Sequence, residues 1–170
     1  MPLRRDRPLP ASTAVEGAPG RARVLLVCST GGHLAQLHRL EPWWRCHDRA
    51  WVTFDKSDAR SLLADERTYW AHHPTTRNVG NLVRNSFLAL RILRAERPRL
   101  IVSNGAGVAV PFFFLGRLLG ARTAYVEVVD RVASPTLTGR MVRRATTLFC
   151  VQWPEQQEFY RGATVVGPLV

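Results

Sequence analysis

The sequence predicts an α/β protein, a Rossmann-like doubly wound parallel sheet. From Arg23 onward, short apolar or β-branched runs alternate with segments that have helical periodicity. Such alternation is typical of a parallel sheet covered by helices on both faces. A chain of 170 residues is also long enough for one domain with a substantial core. We therefore expect one compact α/β unit.

Five runs predict strands, at residues 23–28, 50–54, 99–103, 123–128 and 147–152, and two weaker candidates lie at 68–72 and 163–167. The helix candidates begin near His33, Asp58, Val79, Gly107, Thr136 and Pro154. The longest helix candidate, after residue 78, has arginines 84, 91 and 94 on one face, which we expect to be solvated. Pro98 ends this helix before the next strand.

Residues 1–22 predict a flexible tail that contains arginine and proline, and residues 23–170 predict the folded domain. The tail has no apolar segment of the kind found in a secretory signal. No run approaches the roughly 20 apolar residues of a membrane-spanning helix. The three cysteines, Cys28, Cys46 and Cys150, form no CxxC pair. They are expected to be reduced thiols in a cytosolic protein.

The formal net charge is +11, and Lys56 is the only lysine. A basic surface attracts nucleic acid, anionic lipid or phosphorylated substrates, and the charge alone does not choose among them. The aromatic residues are not interleaved with basic residues along any predicted strand, which argues against a nucleic-acid partner.

Two glycine-containing turns follow predicted strands. The first is "STGGH", residues 29–33, and the second lies in "SNGAGVAVP", residues 103–111. In open α/β sheets ligands bind outside the carboxyl ends of the strands, and glycines there let a ligand approach backbone N–H groups. Neither turn matches a GxGxxG or P-loop motif. The first turn alone is equally consistent with a tight turn that binds nothing. Together the two turns favour an anion site.

Two residues are candidates for a general base. Glu127 follows a buried strand, where a carboxylate orients a sugar hydroxyl or takes a proton. The alternative there is an Asp130–Arg131 surface pair with a helix N-cap at Ser134 or Thr136. His33 is the other candidate, because histidine changes charge near neutral pH, and its alternative is a hydrogen-bonding cap. The absence of GxSxG, HExxH and Cys–His spacings disfavours a hydrolase, and we expect no metal site.

The segment "GVAVPFFFLGRLLG", residues 107–120, is apolar almost all round. This pattern predicts a buried core helix with a proline in its first turn. The alternative is partial insertion into the membrane interface. In that case the membrane-facing residues are Pro111, Phe112, Phe113, Phe114, Leu115, Arg117 and Leu118.

The blocks "LLVCSTGGHLAQL", "SNGAGVAVPFFFLGRLLGARTAYVEVVDRVASPTLTGR" and "LFCVQWPEQQEFY" together are far more specific than one glycine turn. They resemble the bacterial PssD-type polysaccharide glycosyltransferase subunits. These are similar to the membrane-side subunit of the eukaryotic two-part UDP-GlcNAc transferase and, distantly, to MurG. The resemblance covers residues 23–170. It implies the N-terminal, acceptor-binding half of a GT-B glycosyltransferase.

This resemblance implies an inverting hexosyl- or N-acetylhexosaminyltransferase that is active only as a heterodimer. A partner chain holds the UDP-sugar donor, no cofactor is tightly bound, and the acceptor is a lipid-diphosphate-linked saccharide of capsule or exopolysaccharide synthesis. The chain ends at "VVGPLV", where a single-chain relative is expected to enter its interdomain linker. The expected location is cytoplasmic, at the inner face of the plasma membrane, anchored by the tail or by the helix at residues 107–120.

Residue by residue, the resemblance assigns catalysis to His33 or Glu127 without choosing between them. Acceptor or phosphate binding falls to Ser29, Thr30, Gly31, Gly32, Asn104, Gly105, Ala106, Gly107 and Arg131. Two alternative functions remain at this point. One is a non-catalytic scaffold that recruits a partner to the membrane, and the other is a nucleotide-binding module.

Overall fold

Seven parallel strands form one sheet in a computed structural model that describes residues 21–169. The predicted tail lies outside the described residues except for Arg21 and Ala22. The strand order is β3-β2-β1-β4-β5-β6-β7. The strands are β1 (Arg23–Val27), β2 (Asp48–Phe54), β3 (Thr68–Ala71), β4 (Leu100–Ser103), β5 (Arg122–Val126), β6 (Leu148–Val151) and β7 (Thr164–Val165). This order is that of a Rossmann-like sheet, with its reversal point between β1 and β4.

Helices connect the strands on both faces of the sheet. They are α1 (Gly32–His38), α2 (Glu41–Trp44), α3 (Ser57–Leu62), α4 (Val79–Glu96), α5 (Ala109–Leu118) and α6 (Leu137–Val142). The one-turn helix α2 has no counterpart in the sequence prediction. The helix predicted at Pro154 is a 3₁₀ turn, Pro154–Glu158, and a second 3₁₀ turn spans Arg143–Ala145. The predicted fold class and all seven strands are confirmed.

Each strand side packs against its own helix layer. In β1, Leu25 and Val27 point to the layer of α4, α5 and α6, whereas Val24 and Leu26 point to the layer of α1, α2 and α3. This alternation follows from the two-residue repeat of a strand. Because both faces are covered, the strands are apolar on both sides, as in other parallel sheets. Cys28 and Cys150 are buried free thiols, while Cys46 is exposed.

Helix α5 packs tightly on the sheet and belongs largely to the core. Pro111, Phe112 and Phe113 are buried, so the prediction that these three residues face a membrane is wrong. Phe114 and Leu118 are exposed, and the latter retains 81% of its accessible surface. Arg117 is exposed as well, and Leu115 is half-buried. No helix within residues 21–169 is long and apolar enough to cross a membrane.

In the first half of helix α4, polar side chains are buried and several apolar side chains are exposed. The asparagines Asn81 and Asn85 are buried and bind the backbone of Pro74 and His72. Val79 and Phe87, by contrast, are 73% and 69% exposed, and Leu82 and Val83 are exposed beside them. The predicted solvated arginines 84, 91 and 94 are exposed. An apolar surface stripe flanked by arginines therefore runs along the outer face of this helix.

Candidate functional site

The candidate site lies at the carboxyl edge of β1, β4 and β5, which are neighbours in the sheet. Three segments leave the sheet at this edge. They are the first glycine loop (residues 29–33), the second glycine loop (residues 104–107) and the β5–α6 loop (residues 127–136). Since the strands are parallel, all three segments emerge on the same rim. The topology brings together the segments that carry the predicted catalytic and acceptor-binding residues.

His33 is held to the second glycine loop by two reciprocal hydrogen bonds. Its Nδ1 lies 3.2 Å from the carbonyl oxygen of Asn104, and the Asn104 side-chain Nδ2 donates to the carbonyl of His33 at 2.8 Å. A carbonyl oxygen only accepts, so Nδ1 carries the proton in this contact and Nε2 of the neutral ring keeps its lone pair. The ring is thereby oriented as a proton acceptor.

The pKa of His33 is lowered from its ordinary value near 6.5, chiefly because burial disfavours the charged imidazolium. The hydrogen bond to the Asn104 carbonyl and the negative charges of Asp130 and Glu127 act in the opposite direction, with smaller effect. At neutral pH the ring is therefore uncharged, which is the form that a general base requires.

The second glycine loop is packed against the protein itself. Gly105 has φ +125°, and a Cβ there would lie 3.1 Å from His33 Cε1 and 3.1 Å from the Tyr125 hydroxyl oxygen. A Cβ on Gly107 would lie 3.1 Å from Thr75 Cβ. Ala106 between them also has a positive φ of 64°. The two glycines are thus explained by close approach of protein groups.

The first glycine loop faces open space. Gly31 has φ +72°, and Gly32 has an ordinary φ, yet an added Cβ on either residue would meet no non-adjacent group of residues 21–169 within 4 Å. Ser29 and Thr30 are half-buried at the end of β1. The N–H of Gly31 donates to Oδ2 of Asp58, in the first turn of α3, at 2.8 Å. Asp58, which the sequence analysis did not identify, therefore accepts the hydrogen bond of the Gly31 N–H, one of the backbone amides that were expected to bind an anion.

Glu127 is fully buried, which contradicts its predicted position as a catalytic group facing the crevice. Its carboxylate accepts hydrogen bonds from the hydroxyls of Tyr160 and Thr136 and from the N–H of Val128. A Cβ on Gly139 would lie 2.5 Å from Glu127 Oε2, so a glycine is needed where α6 passes the carboxylate. Both carboxylate oxygens of Glu127 accept hydrogen bonds from protein donors, so this side chain anchors the β5–α6 loop.

The alternative that placed a helix cap in this segment is confirmed for Thr136. Its hydroxyl accepts from the N–H of Gly139 at 3.0 Å and lies 3.2 Å from the Tyr125 hydroxyl. Arg131, a predicted acceptor-binding residue, is exposed on the same loop. The cap, the buried carboxylate and the second glycine loop are therefore connected through Tyr125.

Two buried glutamines complete the rim. Gln156 donates to the carbonyl of Val128 at 2.9 Å, and Gln152 donates to the carbonyl of Glu127 at 2.8 Å and to the side chain of Gln36 at 2.9 Å. These contacts fasten the start of the β5–α6 loop to α1, the helix that carries His33. Sequence reasoning missed both glutamines as rim residues, although their position in "VQWPEQ", directly after an apolar strand, was the available signal.

Comparison with known proteins finds relatives of this chain among oligosaccharide biosynthesis proteins. The family model "Oligosaccharide biosynthesis protein Alg14 like" matches residues 66–169. The UDP-N-acetylglucosamine transferase subunit ALG14 of Rattus norvegicus is 32% identical over 86% of this chain and 82% of that protein. The Mus musculus protein of the same name is 35% identical over 49% of this chain. In that match the chain spans only about two fifths of the relative's length, 39%.

Solved structures with a similar fold include MurG of Acinetobacter baumannii, with a TM-score of 0.67 at 21% identity over 86% of this chain and 45% of that chain. A UDP-N-acetylglucosamine 2-epimerase has a TM-score of 0.69 at 9% identity over 82% of this chain and 44% of that chain. These likenesses show the fold, and the chain corresponds to about half of each neighbour.

Proposed function

Because the chain belongs to the Alg14-like family of oligosaccharide biosynthesis proteins, we propose that it is the acceptor-binding subunit of a two-chain glycosyltransferase. In this proposal a partner chain holds a UDP-sugar, and the acceptor is a lipid-diphosphate-linked saccharide of capsule or exopolysaccharide synthesis. The observation that carries the proposal is His33, a neutral imidazole whose free Nε2 lies at the carboxyl edge of a Rossmann-like sheet.

The reaction assigned to this rim is an inverting displacement. A hydroxyl oxygen of the acceptor sugar attacks the anomeric carbon of the UDP-sugar, the new C–O bond forms as the bond to the β-phosphate oxygen breaks, and UDP leaves. The hydroxyl proton passes to Nε2 of His33. A positioned general base of this kind contributes about 10²- to 10⁴-fold to a rate. His33 suits this role better than Glu127, whose carboxylate is enclosed by protein donors.

Acceptor binding is assigned to the two glycine loops and to the exposed Arg131 on the β5–α6 loop. Of the second loop, the fully buried Asn104 acts by holding the backbone of His33, so its contribution is indirect. The exposed Gly32 and the half-buried Ser29 and Thr30 are open to direct contact with the acceptor.

The membrane-facing surface of this proposal comprises the apolar stripe on α4 and the exposed Phe114 and Leu118 on α5. The two helices pack side by side, and Arg84, Arg91 and Arg117 are exposed near the apolar groups. Burial of one large apolar side chain contributes roughly 1.5–3 kcal/mol, and each arginine near an anionic surface about 1 kcal/mol. A few such groups support peripheral binding at the inner face of the plasma membrane.

Membrane binding is tested by sedimentation with vesicles of phosphatidylcholine and phosphatidylglycerol. Phe87→Glu is expected to reduce the bound fraction at least tenfold, because it places a negative charge within the apolar stripe. Phe159→Glu is the matched control, since this exposed phenylalanine lies outside α4 and α5. Equal binding by Phe87→Glu and the wild type would exclude this surface as the membrane face.

The two-chain assignment is tested by a transfer assay with UDP-N-acetylglucosamine and a short-chain lipid-diphosphate-linked sugar. The purified chain alone is expected to be inactive, and addition of the donor-binding partner, sought in the adjacent reading frame, is expected to give transfer. Transfer by the chain alone would disprove the two-chain assignment. No transfer by the pair with any of several UDP-sugars would disprove the proposed activity.

A further inference from the structure

The side chain of Tyr125 is fully buried next to the candidate site. Tyr125 lies on β5, opposite Ser103 of β4, and its ring packs against Phe113 and Phe149 with centroid separations of 6.1 and 5.0 Å. Burial raises the pKa of the Tyr125 phenol well above its ordinary value of 10, so the hydroxyl keeps its proton. The neighbouring rings hold the phenol in place, and its hydroxyl acts as a donor.

The hydrogen bonds around this hydroxyl run in one direction. The carboxylate of Glu127 only accepts, so the single proton of the Thr136 hydroxyl, 3.0 Å away, is donated to it. The Thr136 oxygen accepts from the N–H of Gly139 at 3.0 Å. Its second lone pair is left for Tyr125, whose hydroxyl lies 3.2 Å away. Tyr125 therefore donates to Thr136, and Thr136 donates to Glu127.

The Tyr125 oxygen also packs against the second glycine loop. A Cβ on Gly105 would lie 3.1 Å from this oxygen and 3.1 Å from Cε1 of His33, so the phenol and the imidazole cover the same face of one glycine. The Gly105 N–H donates to Oγ of Ser103 at 3.1 Å. The residue before Gly105 is Asn104, whose carbonyl faces Nδ1 of His33. The Tyr125 hydroxyl thus limits where this loop and its carbonyl lie.

We propose that Tyr125 is a positioning residue whose hydroxyl holds the second glycine loop, so that the Asn104 carbonyl keeps the proton of His33 on Nδ1. This inference rests on the proposed function, because it gives Tyr125 a part in making Nε2 the proton acceptor. It also gives the buried Glu127 an indirect part, since this carboxylate orders Thr136 and Thr136 orders the phenol. Without the hydroxyl the loop gains freedom, and the ring populates the tautomer that protonates Nε2.

The first test is long-range ¹H–¹⁵N NMR of the His33 imidazole in the full chain at neutral pH. In the wild type the tautomer with the proton on Nδ1 is expected to predominate. In Tyr125→Phe the ratio of the Nε2-protonated to the Nδ1-protonated tautomer is expected to rise about fivefold, which corresponds to the loss of one ordinary hydrogen bond. An unchanged ratio in Tyr125→Phe would overturn the inference.

Tyr160→Phe is the matched control. Tyr160 is buried like Tyr125, and its hydroxyl donates to the same carboxylate of Glu127. The three atoms nearest to a Cβ on Gly105, however, belong to His33 and Tyr125. Both substitutions remove one buried hydroxyl from the same cluster, so urea denaturation is expected to show similar losses of stability. Only Tyr125→Phe is expected to change the tautomer ratio, and an equal change in Tyr160→Phe would overturn the inference.

A second pair of variants carries the test if Tyr125→Phe does not fold. Thr136→Val removes the acceptor of the Tyr125 hydroxyl, whereas Thr136→Ser keeps it. The valine variant is expected to raise the tautomer ratio of His33 as Tyr125→Phe does, and the serine variant is expected to keep the wild-type ratio. The same ratio in both variants would contradict a role for this hydrogen bond in positioning His33.

The transfer assay with the partner chain is the last test. Tyr125→Phe is expected to lower kcat about tenfold, because a displaced loop misplaces Nε2 relative to the acceptor hydroxyl. The KM for the acceptor should change less than about twofold, since direct contact is assigned to the first loop. Tyr160→Phe is expected to keep kcat, and an equal loss in both tyrosine variants would overturn the inference. An inactive wild-type complex would contradict the proposed function, and the tautomer ratio of the chain alone would still decide the inference.

Discussion

The two glycine loops look alike in the sequence and differ in what surrounds them. In the second loop, Gly105 and Gly107 are crowded by protein groups, and a Cβ on either residue would contact a neighbour at 3.1 Å. In the first loop, Gly32 has an ordinary backbone conformation and open space around it. The folded protein requires the glycines of the second loop. Nothing within the described residues requires a glycine at position 32, which makes it the better candidate for ligand contact.

His33 joins the two loops, since it begins in the first and packs on the second. Replacement by glutamine is expected to lower the transfer rate of the complex about 10³-fold, because the general base is lost. The loss in the free energy of unfolding is expected to be much smaller than the rise in activation free energy, because the ring is only half-buried. The measurements are kcat with the partner chain present and urea denaturation of the chain. Full activity in His33→Gln would favour the alternative in which this chain is a non-catalytic scaffold.

Gly105→Ala tests the packed loop. The substitution combines an unfavourable positive φ with a close contact to His33 and Tyr125, and it is expected to cost about 3 kcal/mol of stability. Urea denaturation measures this cost. A loss below about 0.5 kcal/mol would show that the loop has room to move, and the contrast between the loops would then disappear.

Gly32→Ala tests the open loop. The folded chain should keep its stability to within about 0.5 kcal/mol, because the added methyl group meets no non-adjacent atom of residues 21–169 within 4 Å. Transfer is expected to fall about tenfold, equivalent to about 1.4 kcal/mol, if the acceptor approaches the backbone here. Gly80→Ala is the control, since it adds a methyl group on α4 that would lie 3.5 Å from Oδ1 of Asn78. Unchanged kcat/KM in Gly32→Ala would remove the first loop from the acceptor site.

The smallest expected effect is in the titration of His33. Burial favours its neutral form, so the midpoint of its imidazole signals in NMR is expected below pH 6.5. Because the neutral ring is the base, activity should persist as the pH falls through 6.5 and decline only below it. Because the folded state favours the neutral form of His33, the ring's contribution to the free energy of unfolding is fully present above pH 6.5. It is lost as the pH falls to the lowered pKa. A midpoint above 6.5 would contradict the burial of the ring.

Buried clusters at the rim were the part of the site that sequence reasoning could not recover. Glu127 was identified as an acid at a strand end, yet whether it faces a crevice or the hydroxyls of Tyr160 and Thr136 depends on residues up to 33 positions away. The same holds for Asp58, which meets Gly31 only because β1 and β2 are neighbours. Contacts of this kind depend on the geometry of the folded chain.

The exposed face of helix α4 shows a second limit of prediction from the sequence. Helical periodicity located the helix and its exposed arginines, and Asn78 caps its first turn. Periodicity alone does not say that asparagines turn inward to bind the loop at residues 72–74 while Phe87 turns outward. The buried amides are tolerated because backbone groups satisfy them, and that compensation is visible only in three dimensions.

The pattern of apolar residues was enough to predict the architecture and the edge of the sheet at which a functional site is expected. Alternating strand and helix periods require a parallel sheet, and a parallel sheet gathers the loops after its strands on one rim. Which side chains are open on that rim depends on contacts that form only when the chain folds. Folding buried Glu127, Asn104 and most of α5, left Gly32 exposed and His33 half-buried, and placed Asp58 on the first loop. Exposure and charge at a site arise from contacts between distant segments, so they follow the fold.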